Sequence, residues 1–114
     1  MFTQLKSLGL FGLNAFSVDV EVSMNRGKPQ MEIVGLPDTS VRESRERIRS
    51  ALSSLSIALP ARLITVNLAP ADVRKNGSGY DLPIAVGIIA ASGQKSFPGL
   101  DRYLIMGELG LDGS

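Results

Sequence analysis

Residues Phe16-Ser-Val-Asp-Val-Glu-Val-Ser-Met24 alternate without a break between apolar and polar side chains. Phe16, Val18, Val20, Val22 and Met24 fall on one side of an extended chain, with Ser17, Asp19, Glu21 and Ser23 on the other. A helix would scatter the same residues around its circumference, so this period of two demands a strand with one dry and one wet face. Such a strand needs a sheet around it and a second layer over its apolar side. Asn25-Arg-Gly-Lys-Pro29 supplies a turn, and Gln30–Val34 reads as a returning strand, which predicts an antiparallel hairpin over residues 16–34. Upstream, Gln4–Leu10 adds a short strand before a bend at Gly12-Leu-Asn14.

The covering layer comes from two helical segments. Gly35-Leu-Pro-Asp38 breaks the sheet, and Ser40-Val-Arg-Glu43 fits a capping box, with Asp38 and Thr39 as rival caps. Val41, Ile48, Ala51, Leu52 and Leu55 then recur at helical spacing, which predicts a helix over 40–55. Its other side carries Arg42, Glu43, Glu46, Arg47 and Arg49, with Glu43 and Arg47 in the favourable i,i+4 order. Leu59-Pro-Ala61 closes the segment. Arg62–Leu68 is apolar on both alternations and rich in β-branched residues, the pattern of an interior strand. After Pro70 and the loop Arg74–Gly79, Asp81 is placed to cap a second helix, with Pro83 tolerated in the first turn. Leu82–Ala91 is apolar all round, as in a helix covered on most sides, and Gly93 is a stop signal. A turn at Pro98-Gly99 leads to a final buried strand over Tyr103–Glu108. The predicted order is β-β-β-α-β-α-β, an α+β sandwich of sheet and helices within one domain of 114 residues. The end of the chain, Gly107-Glu-Leu-Gly-Leu-Asp-Gly113-Ser114, reads as a strand entering a turn after which nothing follows, the pattern of a piece of a longer protein.

Composition removes several chemistries. With no Cys and no His, the chain lacks thiolate and imidazole metal sites, the Cys nucleophile, the Ser-His-Asp triad and the common acid–base side chain. The same absence rules out a disulfide framework and agrees with a reducing cytoplasm. A net charge of +1 selects no class of partner globally, so electrostatic specificity must be local. The N-terminus lacks the pattern of a signal peptide, and the charge-free run Leu82–Gln94 is too short to span a bilayer. No membrane partner is expected, and no metal site.

The loop Arg74-Lys-Asn-Gly-Ser-Gly79 is the first candidate site. Glycines at a helix N-terminus expose backbone N–H groups and the positive end of the helix dipole, which suits an anion or an oxyanion. They also serve as a tight turn that seats a buried helix. The loop is not a P-loop, because G-x-x-x-x-G-K-[ST] occurs nowhere. It is not a Rossmann fingerprint either, since Leu82 stands where the third glycine belongs. Ser78 near Lys75 raises a Ser–Lys dyad, which requires the lysine pKa to be depressed. The second candidate is the stripe Arg42, Arg45, Arg49 along the first helix, either a solvated face diluted by Glu43 and Glu46 or a contact for phosphates or an acidic protein surface. Arg62 and Arg74 would extend it if they lie nearby. No aromatic side chain is interleaved with these arginines, which argues against base stacking.

The segments Ile33-Val-Gly-Leu-Pro-Asp-Thr-Ser-Val-Arg-Glu-Ser-Arg-Glu-Arg47, Ile64-Thr-Val-Asn-Leu-Ala-Pro-Ala-Asp72, Tyr80-Asp-Leu-Pro-Ile-Ala-Val-Gly-Ile88 and Gly107-Glu-Leu109 resemble, in order, the N-terminal domain of the ComM/YifB family. These are magnesium-chelatase-like, ChlI-related AAA+ ATPases. The resemblance implies a Lon-like fold, within the superfamily of the second domain of ribosomal protein S-five. It implies a non-catalytic accessory domain that assists assembly of a hexameric ring or DNA engagement in DNA processing and natural transformation. It further implies that the ATPase module of the same polypeptide lies outside these residues and that ATP and Mg²⁺ belong to that module. Lon's Lys-Asp-Gly-Pro-Ser-Ala-Gly, laid on Lys75-Asn-Gly-Ser-Gly-Tyr-Asp81, puts the nucleophile position on Gly79 and leaves Ser78 one residue early. No catalytic residue is therefore expected. The residues singled out for contact with DNA, phosphate or another subunit are Arg42, Arg45, Arg49, Arg74, Lys75, Gly77, Ser78 and Gly79.

Overall fold

A computed structural model describes residues 1–114, the side chain of Phe11 excepted. Strands β1 (Phe2–Phe11), β2 (Asn14–Asn25), β3 (Gln30–Val34) and β4 (Leu63–Ala69) form one mixed sheet in the order β1-β2-β4-β3. Helices α1 (Thr39–Arg42), α2 (Ser44–Ser54) and α3 (Asp81–Ala91) complete the regular structure, with a 3-10 turn at Leu100–Arg102. The α+β class holds, and the alternation in β2 does what its period requires. Val18, Val20, Val22 and Met24 are buried against the helices, together with Leu5, Ile64, Val66 and Leu68 from neighbouring strands.

The hairpin predicted over residues 16–34 does not form. β2 pairs instead with β1 in a long antiparallel ladder, and β4 inserts between β2 and β3, antiparallel to the first and parallel to the second. β4 is apolar on both alternations, so the central position suits it better than the edge. β3 is left at the open edge of the sheet.

The helix predicted over 40–55 is interrupted at Glu43, and its cap is Asp38, whose carboxylate accepts the Val41 N–H at 2.8 Å. The Ser40/Glu43 capping box is not used. Leu55, assigned to the apolar side, is 52% exposed just past the helix end. In α3 the cap position falls on Tyr80, and Asp81, expected to cap, is the first helical residue, fully buried. Gly87 explains how this helix lies so close to the sheet, because a Cβ there would stand 2.7 Å from Val22 Cγ2. Gly93, with φ +77°, follows the helix as the stop signal required.

The predicted final strand over Tyr103–Glu108 is absent. Only Leu104 bridges to Lys6 on the outer edge of β1, and Tyr103, Leu104 and Met106 are about half exposed or more. Ile105 donates its N–H to Lys6 O at 2.9 Å, and the next backbone groups leave β1. Gly107 donates its N–H to Gly79 O at 2.9 Å and accepts the Leu82 N–H at 2.9 Å, so the segment runs from the sheet edge to the start of α3.

Candidate functional site

The loop before α3 is closed from within. Lys75 is fully buried although Arg74 and Asn76 on either side of it are exposed. Its amine donates to Gly35 O at 2.9 Å and to Pro70 O. Its backbone N–H goes to Leu36 O at 3.0 Å and its carbonyl accepts the Asp38 N–H at 2.9 Å. This lysine therefore zips the Gly35–Asp38 turn to the glycine loop, and the bridge between Pro37 and Lys75 records the pairing. Burial depresses the amine below the ordinary lysine range, with nearby Asp72 opposing the shift.

Ser78 sits apart from that amine, its hydroxyl bonded to the carboxylate of Glu108 near the surface. The two members of the supposed dyad thus point to different partners. Gly77, with φ +86°, turns the loop, and its N–H lies 3.4 Å from the Asp38 carboxylate; Gly79 is exposed, with its carbonyl held by Gly107.

The N-terminus of α3 has little left for an anion. Asp81 N–H bonds Ser78 O, Leu82 N–H bonds Gly107 O, Pro83 has no N–H, and Ile84 N–H bonds Tyr80 O. The positive end of the dipole already holds a carboxylate, that of Asp81. Arg47 Nε meets Asp81 Oδ2 at 2.6 Å and Arg47 Nη2 meets Oδ1 at 3.0 Å, while Ser44 Oγ donates to Oδ1 at 2.5 Å and Leu109 N–H to Oδ2 at 3.1 Å. The bidentate hydrogen bond to Asp81 raises the arginine pKa further, against the cost of burial. Arg47 was assigned to the wet face and paired with Glu43; it turns inward because a buried carboxylate lies across from it. Only the lone Asp at the head of an otherwise apolar helix pointed to this pair in the sequence.

The other candidate arginines gather along β3. Arg42 and Arg74 line one cleft of ≈ 460 Å³ with Ile33, Val34, Leu36, Pro37, Asp38 and Thr39. Arg49 and Arg62 line another of ≈ 280 Å³ with Pro29, Met31, Leu59 and Ile64. Between the clefts, Arg45 Nη1 lies 3.4 Å from Met31 O and Arg45 Nε lies 3.2 Å from Arg42 O. Arg49 is partly neutralised by Glu46, 3.3 Å away. The stripe read from the helix and the two outlying arginines therefore form one basic margin, divided into two ends. Leu36, missed in the sequence, stands at the rim of the larger cleft, 49% exposed and with φ +56°. A β-carbon in that region of backbone space is strained, and strain of this kind gathers where a surface is used.

Tyr80 is buried in the core, so it offers nothing to a nucleic-acid base. Among the described residues no helix is long and apolar enough to cross a membrane.

Comparison with known proteins places this geometry in a family. The model of the ChlI subunit of Mg-chelatase matches residues 20–114. YifB of Escherichia coli is 48% identical over 103 residues, covering 90% of this chain and 20% of YifB. The competence protein ComM of Haemophilus influenzae is 47% identical over 102 residues, again 90% of this chain and 20% of the relative. A protein of Mycobacterium tuberculosis is 36% identical over 107 residues, 94% of this chain and 21% of its own length. The chain thus spans about a fifth of the length of the relatives it matches. At this identity and coverage the chain belongs to the magnesium-chelatase-like ChlI family, as the N-terminal domain of its ComM/YifB branch.

Proposed function

We propose that this chain is a non-catalytic, Lon-like accessory domain of a magnesium-chelatase-like AAA+ ATPase. It serves the assembly of a homohexameric ring in the cytoplasm, in a protein devoted to DNA processing. ATP and Mg²⁺ act in the ATPase module of the same polypeptide, outside these residues. One observation carries the reading: the lysine amine and the first-turn donors that a hydrolase would use at the glycine loop are engaged within the domain, and the serine hydroxyl lies apart from that amine. The Lys75 amine is bonded to two carbonyls, Ser78 faces Glu108, and the donors at the start of α3 are taken. What the domain leaves available is a surface, and the arginine margin along β3 is its most distinctive part.

A second reading, direct engagement of DNA, is favoured by the convergence of Arg42 and Arg74 on one cleft, which suits a phosphate oxygen. The two are separated in the full-length protein carrying Arg42→Ala and Arg74→Ala. If the domain serves the ring, sedimentation shows weaker assembly at a given nucleotide concentration while binding of single-stranded and branched DNA by the isolated domain stays negligible at low salt. If it serves DNA, the isolated domain binds with a steep salt dependence that the two substitutions flatten. Unchanged assembly together with no DNA binding removes both roles. Hydrolysis of peptides abolished by Ser78→Ala would replace this reading with a peptidase.

A further inference from the structure

β3 is the open edge of the sheet, and its ladder to β4 fixes which of its backbone groups are free. Gln30 donates its N–H toward Arg62 O, so the even-numbered residues of β3 face β4. The N–H and C=O groups of Met31 and Ile33 face outward. Met31 O receives the Arg45 guanidinium at 3.4 Å; Ile33 has no partner for either group among the described residues. The helix-side wall of this edge is the row Arg42, Arg45, Arg49, with Arg74 and Arg62 at its two ends.

From these positions we infer that the β3 edge takes an extended acidic segment of a partner polypeptide, added to the sheet as a fifth strand. The inference rests on the ring-assembly reading and gives it a contact. An added strand would satisfy the outward groups of Met31 and Ile33 and turn alternate side chains toward α2. Carboxylates on that face meet the arginines: Arg42 to Arg49 covers about 10 Å at helical rise, across the interruption at Glu43, and three alternate strand residues span about 13 Å. The opposite face of the added strand passes Glu32, which is exposed on β3, so it must be neutral. Arg42 and Arg74 have no acidic partner within bridging distance among the described residues, which leaves their charge for a ligand.

A polypeptide fits these surroundings better than a nucleic acid. Beside the arginines the clefts carry Leu59, Met31 and Ile64 at one end and Val34, Leu36 and Ile33 at the other, apolar surface that packs against a strand's aliphatic carbons; Asp38, the one carboxylate in the lining, accepts the Val41 N–H. No aromatic side chain lines either cleft to stack a base. Leu36 is held in its strained conformation, facing one of these clefts, by the buried clamp of Lys75. A charged side chain on an edge strand also protects against unwanted pairing, but Arg45 covers a single carbonyl here and leaves Ile33 open.

The test uses the 114-residue chain and a fluorescein-labelled peptide of alternating Glu and Val. Anisotropy should show binding that weakens with salt, and Arg45→Ala or Arg42→Ala should each lower affinity about fivefold, the size of one exposed ion pair. The same peptide with N-methylated backbone amides should not bind, and hydrogen exchange at the Met31 and Ile33 amides should slow only with the unmethylated peptide. Equal binding of the methylated peptide overturns strand addition, as does absence of binding by either. Protection of the same amides by a single-stranded oligonucleotide instead of the peptide assigns the margin to nucleic acid and also overturns it. If the peptide fails while Arg42→Ala and Arg74→Ala still weaken the full-length ring, the strand inference falls and the ring-assembly reading stands.

Discussion

Lys75 shows how far a side chain's neighbours in sequence can mislead about its neighbours in space. Arg74 and Asn76 are exposed on either side of it, so the loop reads as wet, yet the amine lies beneath the Gly35–Asp38 turn. Because burial lowers its pKa from 10.5, the unfolded chain binds the additional proton at any pH between the folded value and 10.5. Stability therefore rises with pH through that window, as the cost of burying a charge is relieved. The stability difference between the native chain and Lys75→Met, measured by urea unfolding, should grow as pH is raised from neutral toward 10.5; a difference independent of pH would contradict it. Leu36 gives the complementary case. Glycine relieves the strain of φ +56° but gains freedom in the unfolded chain, so Leu36→Gly should stabilise by a net of about 0.5 kcal/mol while weakening any ligand at the adjoining cleft. A large loss of stability would mean that the exposed leucine side chain matters more for folding than its backbone. Neither residue could be read correctly beforehand. Burial of Lys75 and strain at Leu36 both arise from a pairing across the turn and the loop, and no periodicity records a pairing of two irregular segments.

Elements were far more legible than their partners. β2 declares itself by alternation, β4 by the absence of it, and α3 by apolar residues all round, because each pattern reflects one strand's or helix's own exposure. The hairpin failed for a different reason. Turn residues at Asn25–Pro29 guarantee a change of direction but not adjacency, and β4 outcompetes β3 for the inner position by being apolar on both faces. The arginine row was visible as a helical stripe, whereas the open edge beside it depends on that strand order. Helix placement gives a direct test. Alanine at position 87 would gain about 1 kcal/mol of helix propensity over glycine, but its Cβ would stand 2.7 Å from Val22 Cγ2 and 3.1 Å from Leu5 Cδ2. Overpacking of this kind costs about 1–3 kcal/mol, so Gly87→Ala should lower the denaturation midpoint despite the better helix former. A raised midpoint would show that α3 can move off the sheet without penalty.

At the scale of the molecule, Asp81 is where separate parts of the fold meet. Its carboxylate receives Ser44 and Arg47 from α2, heads α3, and accepts the N–H of Leu109 from the C-terminal segment. With Asp81 fully buried and Arg47 only 20% exposed in its side chain, removing one partner leaves a charge or a set of donors without compensation. Arg47→Met should therefore destabilise by about 3–5 kcal/mol. Asp81→Asn retains the shape and loses the charge, and should cost less. The combination of Arg47→Met with Asp81→Leu should recover part of the loss, because it strands neither ion, while the Ser44 hydroxyl and the Leu109 N–H still lose their acceptor. A double-mutant cycle by urea denaturation measures the coupling, and additive losses would show that the pair does not act as a unit. Hydrogen exchange adds the spatial reach: in Arg47→Met the Leu109 amide should lose protection along with the first turn of α3, because one carboxylate orders both. Loss confined to α2 would mean that the C-terminal segment is held without Asp81, through the bonds of Gly107 to Gly79 and Leu82, of Ile105 to Lys6 and of Leu111 to Ser54. The predicted joint loss follows from the position of the Asp81 carboxylate, which fastens α2, α3 and the C-terminal segment to one another.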